Sequence, residues 1–472
     1  MKYKNNFAVP ERKKRPSRVF VHRRNKIIVI SVFTLAVTVV LAMPFLRSET
    51  SVTEKRELTK FPHFSFSSLF DGSFFDGVGL WFSDTVPARD TLTAADHRIR
   101  NLLGTAGVEA GFAEGEAGDD IPEPGHVLED EPTADQTEPT EVQSAQSTET
   151  ETSEIQTTSP APTEPQTDEE FTGVSETLGT VIIADNAGFE YYNFVQETAD
   201  KYIRAVNRAG NSLAGQTKVY CMIVPLSSDI TLNSHVRDKL NVSDQKAASD
   251  YMLGSMNENV GTVPIFDTLK AHRDEYIYFR TDHHWTGLGA YYAYREFCAA
   301  SGKTAVPLND YELRSYDGFL GTFYNDSGQS PALAATPDRV DTYYPPCQVT
   351  MTVTDRNGNT SQMPLIYDES KSTLPSVKYS AFISGDNSFT VINNLDKEDG
   401  DTLVVVKESF GNALVPLLPP HYKTIYVIDY RYWYGNITQF CRDKGADELL
   451  FCNNISMTRS KSLVEAMDSE IS

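Results

Sequence analysis

The sequence predicts an α/β fold, a parallel sheet with helices on both faces. Three observations support this class. Short apolar runs alternate with helix-like stretches after residue 400, and such units with short connections form parallel sheets. A polar cluster, TDHHWT at 281–286, follows a strand-like run at 275–279, and Ser409 follows another at 402–406. In open α/β sheets, ligands and chemistry collect at such strand ends.

The first 46 residues predict a membrane anchor. Residues 1–26 contain ten Lys or Arg and one Glu, and residues 27–46 carry no charge. Twenty helical residues span about 30 Å of hydrocarbon, and the positive-inside rule places the basic tail in the cytoplasm. A cleaved signal peptide, with its cleavage region near Ala42, is the alternative, but the long basic segment favours an uncleaved transmembrane helix. In both cases the remainder lies outside the cytoplasm.

Residues 54–104 are predicted to fold as the N-terminal part of the ectodomain, and a disordered acidic segment follows at 105–178. This segment is rich in Thr, Glu and Pro, and it holds 20 of the 65 acidic residues without one Lys or Arg. Such a composition buries too little apolar surface to offset chain entropy. It is either a loop inserted in the ectodomain or a linker. The rest of the chain is nearly balanced in charge, which argues against a nucleic-acid partner.

Residues 179–472 form the predicted catalytic domain, whose elements follow from periodicity and end signals. Its first half is predicted to contain strand 181–183, helix 189–209, strand 217–224, helix 244–256 capped by Ser243, strand 263–266, strand 275–279 and helix 287–300. Residues 311–394 are predicted to be a β-rich insertion covering the active-site face, with a hairpin turn at 356–358. The alternation then resumes with strands 402–406, 424–429 and 448–452 and helices 412–418, 437–444 and 458–467.

The five cysteines lack the spacing of a zinc finger. Cys221 lies in an apolar run and is predicted to be a small buried hydrophobe. Cys441 and Cys452 could pair, and the sequence leaves that open.

Three interpretations of the cluster at 281–286 compete. In the first, His284 is a general base and Asp282 fixes its tautomer, as in a Ser-His-Asp triad. In the second, Asp282, His283 and His284 bind a metal, although adjacent histidines in an extended chain point to opposite sides. In the third, one histidine is structural and Trp285 belongs to the core. The tight grouping at a strand end favours the first interpretation, which needs no metal.

The TDHHWT motif resembles the signature of the DHHW family of bacterial proteins. That family is similar to the SGNH-hydrolase-like alginate O-acetylation proteins, whose motif pairs Asp and His one residue apart. By position, the resemblance implies that Asp282 and His284 are triad members and that His283 holds the variable middle place. Segments 56–58, 61–62 and 84–90 also resemble the opening of DHHW ectodomains.

Ser409 is the predicted nucleophile. A serine at a strand-to-helix turn has an exposed hydroxyl, and the helix N-terminus can donate N–H groups to an oxyanion. A helix N-cap is the alternative role. The block KESFGN at 407–412 resembles the KDSF-type block of the same family, with Glu408 where Asp is usual. Ser388, in the rival block SGDNS, leads into a strand-like run and ranks lower.

Three further residues are candidates for substrate or oxyanion contacts: Arg431, Asn412 and His283. Arg431 lies in a segment that resembles the D-x-R-Y stretch of the family, and a surface or ion-pair role is the alternative. The resemblance implies a membrane-anchored extracytoplasmic O-acetyltransferase or acetylesterase that acts on a polysaccharide without a cofactor. It also implies a membrane-bound O-acyltransferase as partner. The alternative is a non-catalytic glycan-binding or assembly component of a modification complex.

Overall fold

The computed structural model describes residues 50–51, 56–57, 81, 118–124, 175–178, 180–372 and 374–471 of the 472-residue chain. The basic tail, the predicted membrane helix at 27–46 and most of the two segments predicted at 54–104 and 105–178 lie outside these residues. Within the described ranges, no helix is long and apolar enough to cross a bilayer. The contacts divide the chain into one unit at 1–104 and a second at 105–472.

The first unit contains an antiparallel pair of short strands, β1 (Thr50–Ser51) and β2 (Arg56–Glu57). The strands of the second unit are β3 (Ser175–Leu178), β4 (Val181–Ala184), β5 (Ala187–Glu190), β6 (Lys218–Val224), β7 (Val260–Thr262), β8 (Glu312–Phe319), β9 (Asp338–Tyr344), β10 (Val349–Thr354), β11 (Thr360–Met363), β12 (Phe389–Asn394), β13 (Thr402–Lys407), β14 (Thr424–Asp429) and β15 (Glu448–Asn454).

The α-helices of the second unit are α1 (Gln196–Leu213), α2 (Ser227–Ile230), α3 (Ser234–Arg237), α4 (Gln245–Gly254), α5 (Phe266–Ala271), α6 (Gly287–Ser301), α7 (Thr322–Asp326), α8 (Pro331–Ala334), α9 (Gly411–Leu414), α10 (Ile437–Lys444) and α11 (Lys461–Ser469). Short 3₁₀ turns lie at Leu308–Asp310, Glu369–Lys371, Pro375–Ala381, Val415–Leu417 and Ile455–Arg459.

The centre of the second unit is an eight-stranded mixed sheet in the order β11-β10-β12-β14-β13-β15-β6-β7. Strands β14, β13, β15, β6 and β7 are parallel, as the alternation of strands and helices predicts. Strands β12, β10 and β11 extend this core in antiparallel order. The segment predicted as a covering β-rich insertion thus supplies three edge strands to the main sheet, and the sheet is mixed rather than parallel throughout.

Helices pack on both faces of the sheet, as predicted. Tyr220 and Cys221 are neighbours on β6, so their side chains point to opposite faces. The Tyr202 hydroxyl of α1 lies 3.6 Å from the Cys221 sulfur. On the other face, Phe297 of α6 makes an edge contact with Tyr220, with ring centroids 5.5 Å apart. Because both faces are covered, β6 and β15 are buried along almost their whole length, which explains their continuous apolar runs.

Two helix starts differ from the sequence prediction. Helix α1 begins at Gln196 and not at residue 189, because residues 187–190 form β5. Asp185 and Asn186 have positive φ and make the tight turn that pairs β5 with β4. Helix α4 is capped by Asp244, whose side chain accepts from the Ala247 amide, whereas the Ser243 hydroxyl accepts from the Phe194 amide.

Two predicted strands are wrong. The strand predicted at 263–266 is displaced, since β7 ends at Thr262 and α5 begins at Phe266. Pro264, which has no N–H to give to a ladder, explains the end of pairing there. The run at 275–279 joins no sheet and makes one isolated bridge, between Tyr278 and Trp285. Ile277, Tyr278 and Phe279 are buried by side-chain packing, and a strand-like run in the sequence cannot distinguish such packing from strand pairing.

All five cysteines lie within the described residues and are unpaired thiols, so Cys441 and Cys452 do not form the disulfide that the sequence left open. Cys221 is buried, as predicted, and burial raises the pKa of its thiol to about 12. The thiol therefore stays protonated and behaves as a small apolar side chain.

Candidate active site

Asp282 and His284 lie in an irregular loop that precedes α6, not at the end of a sheet strand. Asp338, at the start of β9, fixes this loop. Its buried carboxylate accepts hydrogen bonds from the Arg280 amide (3.1 Å), the Thr281 amide (2.7 Å) and the Thr281 hydroxyl (2.6 Å). Downstream, Thr286 caps α6 by accepting from the Gly289 amide. Side-chain hydrogen bonds thus hold the loop at both ends. The sequence had instead predicted that a strand paired in the sheet would position it.

The structure brings Asp282, His284 and Ser409 together. His284 Nδ1 lies 2.5 Å from Asp282 Oδ1, and His284 Nε2 lies 2.7 Å from the Ser409 hydroxyl. The Asp282 carboxylate also accepts from the His284 amide at 3.1 Å. Asp282 and His284 are buried, and Ser409 is half-buried. If the serine donates to Nε2, the imidazole proton lies on Nδ1 and faces the carboxylate, which is the arrangement that a general base requires.

The second oxygen of Asp282 is held by the segment that follows β8. The Thr322 amide donates to Asp282 Oδ2 at 2.8 Å. Gly321 lies directly against the same carboxylate, and a Cβ atom there would collide with it. Gly321 has a negative φ, so the glycine is needed for this close approach and not for its backbone conformation. The sequence analysis missed both residues, since nothing local in the chain pairs them with Asp282.

Ser409 lies in the turn after β13, as predicted. The Trp285 indole donates to the Phe410 carbonyl at 2.8 Å and so ties this turn to the Asp282 loop. The helix that follows is shorter than the predicted 412–418, because α9 has four residues and then tightens into a 3₁₀ turn. Its dipole is correspondingly weaker than the prediction assumed.

The Ser388 hydroxyl is bound to the backbone at the end of a neighbouring strand. It donates to the carbonyls of Thr354 and Asp355, at 2.9 Å in each case. These bonds join the start of β12 to the end of β10. The contacts of Ser388 are those of a structural serine.

A buried ionic network lies next to Ser409. The Arg431 guanidinium makes two bonds to Asp429, at 2.8 and 2.7 Å, and lies 3.0 Å from Asp386. Lys407 contacts Asp429 at 3.0 Å. Burial alone would raise the pKa of the Asp386 carboxyl, but the charges of Arg431 and Lys407 hold it well below its usual range. Arg431 is thus ion-paired, and Asn412 donates to Asp386 at 2.8 Å.

Glu408, which stands where the family block has Asp, links two parallel strands. Its buried carboxylate accepts from the Asn453 side chain and from the Asn454 amide, both at 2.9 Å. Burial raises the pKa of Glu408, and the two hydrogen bonds oppose that rise. The longer glutamate side chain reaches across to the end of β15 and holds the Ser409 turn against it.

The metal interpretation meets a geometric obstacle. Asp282, His283 and His284 do offer ligand atoms within 4.8 Å of one another. However, both ring nitrogens of His284 are already engaged, with Asp282 and with Ser409. The His283 ring lies against the His284 ring, with centroids 3.9 Å apart. A metal ion would have to break one bond of the triad to gain a nitrogen from His284.

A cavity of about 230 Å³ opens beside Ser409. Its wall includes His283 and Arg431, two of the predicted substrate contacts, together with Phe410 and Glu190. Asn412, the third, is not among the residues that line the cavity and donates to Asp386 instead. A substrate in this cavity would reach the Ser409 hydroxyl directly.

A family model and two of the three solved structures described below agree with this architecture. The model of a family described as DHHW protein matches residues 54–428. A DHHW family protein from Eubacterium siraeum is 26% identical and superposes with a TM-score of 0.56, over 64% of this chain and 98% of that protein. PatB1 of Bacillus cereus, solved with a sulfonyl adduct, is 18% identical with a TM-score of 0.50, over 62% of this chain and 98% of its own. The O-acetyltransferase domain of Pseudomonas putida AlgJ is 12% identical with a TM-score of 0.34, over 61% of this chain and 99% of its own. No curated protein matches the sequence significantly.

Proposed function

The chain belongs to the DHHW family, and from this premise and the geometry of the site we propose that it is an acyl-ester enzyme of the cell envelope. The reaction is O-acetyl transfer to, or acetyl-ester hydrolysis on, an extracellular polysaccharide. The observation that carries the proposal is the continuous hydrogen-bonded line from Asp282 through His284 to Ser409. A glycan-binding or assembly role would not require a serine hydroxyl 2.7 Å from an imidazole backed by a buried carboxylate.

In the first half-reaction, the Ser409 oxygen attacks the acyl carbon of the donor ester. His284 Nε2 takes the serine proton, and Asp282 stabilises the imidazolium through Nδ1. The tetrahedral intermediate then collapses: the bond to the donor alcohol breaks, His284 returns the proton to that alcohol, and an acyl-serine ester remains. The negative oxygen of the intermediate needs N–H donors. The backbone of the turn that carries Ser409 is the candidate, because the Asn412 side chain and backbone amide already donate to Asp386 and to the Ser409 carbonyl.

In the second half-reaction, a hydroxyl group attacks the acyl-serine. His284 takes the proton from that hydroxyl and delivers it to the departing Ser409 oxygen. If the hydroxyl belongs to a sugar, the product is an O-acetylated polysaccharide; if it belongs to water, the product is acetate. The two outcomes share every protein step, so the acceptor that occupies the cavity decides between them.

The cellular setting belongs to the same proposal. The uncharged run at 27–46 with its basic flank would anchor the chain with its N-terminus in the cytoplasm, and the catalytic unit would lie outside. A membrane-bound O-acyltransferase that exports acetyl groups would supply the donor. The resemblance to alginate O-acetylation proteins supports that partner.

A serine-reactive phosphonate tests the proposal. Incubation of the ectodomain should give one covalent adduct, located at Ser409 by peptide mass spectrometry, with loss of p-nitrophenyl acetate hydrolysis. A His284→Ala variant should label far more slowly, because the serine would have no base. A Ser388→Ala variant should label like the wild type. An unlabelled Ser409 in a folded protein would favour the glycan-binding role instead.

A further inference from the structure

The cavity beside Ser409 lies where two hydrophobic clusters of the fold meet. The apolar residues of its wall come from both: Val181 and Phe323 from a small cluster, and Phe410, Met457 and Leu463 from the main core and the side chains packed against it. Most of the surface that lines the cavity is apolar. A group bonded to the Ser409 oxygen would therefore lie next to apolar side chains.

The charged groups of the wall are engaged within the protein. Glu190 lies 3.4 Å from the Arg459 guanidinium. Glu408 accepts its two hydrogen bonds at 2.9 Å, and Arg431 is paired with two carboxylates. Asp326 also has a partner. A polar ligand would compete with these contacts, whereas an apolar group would leave all of them intact.

The cavity is larger than an acetyl group needs. Its volume is about 230 Å³, and an apolar cavity of roughly 150 Å³ accommodates a benzene molecule. An acetyl group carries a single methyl group beyond its carbonyl carbon, so most of the cavity would stay unfilled. A longer acyl chain would bury more apolar surface and make more dispersion contacts with the wall. By volume, a linear chain of about four to six carbons fills the cavity better than acetyl.

Resting on the proposed function, we propose that this cavity is an acyl pocket and that its preferred donor is an ester of a short-chain fatty acid, about four to six carbons long. Acetyl is then the smallest acyl group that the site accepts. The acyl chain lies against Phe323, Met457 and Leu463, and the accepting hydroxyl reaches the carbonyl carbon from solvent. The chemistry is unchanged: the bond to the donor alcohol breaks, the bond to the Ser409 oxygen forms, and His284 carries the proton.

The test compares p-nitrophenyl esters that differ only in chain length. The full-length protein is assayed with the acetate, butyrate, hexanoate and octanoate. Each kcat/KM is divided by the rate constant for hydroxide hydrolysis of the same ester, which removes differences in intrinsic reactivity. Since each buried methylene group gives about a fourfold gain, we expect butyrate to exceed acetate about tenfold. Octanoate should fall below hexanoate, because its chain is too long for the cavity.

Three variants locate the effect. Leu463→Trp, which narrows the cavity, should lower the butyrate-to-acetate ratio about tenfold. Leu253→Trp is the matched control: Leu253 is also half-buried against the main core but does not line the cavity, so the ratio should equal that of the wild type. Phe323→Leu removes volume from the wall and should move the optimum from hexanoate towards octanoate. Each ratio is measured on one protein preparation, so partial loss of folded protein cancels.

The outcomes distinguish the acyl pocket from the proposed function. If no ester releases nitrophenol and mass spectrometry finds no acyl group on Ser409, the proposed function fails and the acyl pocket fails with it. If Ser409 is acylated by the acetate but the corrected kcat/KM falls steadily from acetate to hexanoate, the acyl pocket alone is overturned. Equal ratios in Leu463→Trp and the wild type would also overturn it, because the selectivity would then not come from this wall.

Discussion

The Tyr379 ring lies flat on the His284 imidazole, with centroids 4.0 Å apart and 11° between the planes. The Tyr379 hydroxyl also donates to the Ser409 backbone carbonyl at 2.9 Å. One side chain from the 3₁₀ turn at 375–381 therefore touches both His284 and the turn that carries Ser409. This contact leaves the imidazole one orientation, in which Nδ1 faces Asp282 and Nε2 faces Ser409. The segment predicted to cover the active-site face contributes to the site through this contact.

The triad should act as one unit. Ser409→Ala and His284→Ala are each expected to lower p-nitrophenyl acetate turnover roughly 10³- to 10⁶-fold, and the double variant should lose little more, since members of a catalytic unit are not additive. Asp282→Asn should cost roughly 10⁴-fold through loss of tautomer control. Steady-state kinetics with melting curves to verify folding measure this. Normal turnover in Ser409→Ala, with an inactive Ser388→Ala protein, would show that the wrong serine was assigned.

Gly321→Ala should impair catalysis although it replaces no side chain of the triad. The new methyl group would push the Asp282 carboxylate away from His284, so kcat is expected to fall about 10- to 100-fold. Gly302→Ala is the control: Gly302 ends α6 with a φ of 73°, far from the site. That variant should lose about 1 kcal/mol of stability and keep its kcat. Equal kcat values for Gly321→Ala and the wild type would mean that the Asp282 position does not matter.

Glu470 should make stability depend on pH. Burial, and next the charge of Asp429, raise the pKa of this carboxyl from 4.5 to about 8. Between these values the folded state holds a proton that the unfolded state has released, so the melting temperature should fall as the pH rises from about 5 to about 8. In Glu470→Gln this part of the dependence should disappear. Identical pH profiles of the two proteins in thermal melts would contradict the assignment.

Metal removal should leave the activity intact. Because both His284 nitrogens are engaged within the triad, dialysis against EDTA is expected to leave ester hydrolysis unchanged, and added Zn²⁺ should inhibit by competing for His284. Elemental analysis of the purified ectodomain checks the metal content directly. Stoichiometric zinc that is absent from His284→Ala would refute the triad.

Protease treatment of intact cells tests the topology. Residues 175–178 form β3, and Asp119 accepts from the Gln196 amide, so these parts of the segment predicted to be disordered are held in the fold. The disorder predicted for the rest of residues 105–178 should make it the preferred cleavage site. Protease added outside the cells is expected to release a resistant fragment that contains the unit after residue 178. Cleavage of the segment only after lysis would place the catalytic unit in the cytoplasm.

Much of the fold could be predicted from the sequence because its determinants are local. The strands β13, β14 and β15 are continuous apolar runs, and full burial in a parallel sheet is the physical reason for such runs. Ser409 directly follows β13, so its place at the end of a sheet strand could be predicted. Asp282 and His284 are close in sequence, and their hydrogen bond needs only a bent loop.

Tertiary structure alone decided how the site is held and where the loop lies. The strand-like run at 275–279 predicts a strand, yet the hydrogen bonds of the Asp338 side chain to Tyr276 and Thr281 fix this stretch as a loop, and Asp338 lies 57 residues beyond Thr281. Tyr379, Gly321 and Thr322 reach the triad from segments whose local patterns carry no sign of it, and 125 residues separate His284 from Ser409. Sequence periodicity records which residues are buried in regular elements. The partners that distant side chains find depend on how the sheet, its antiparallel edge and the loops fold together.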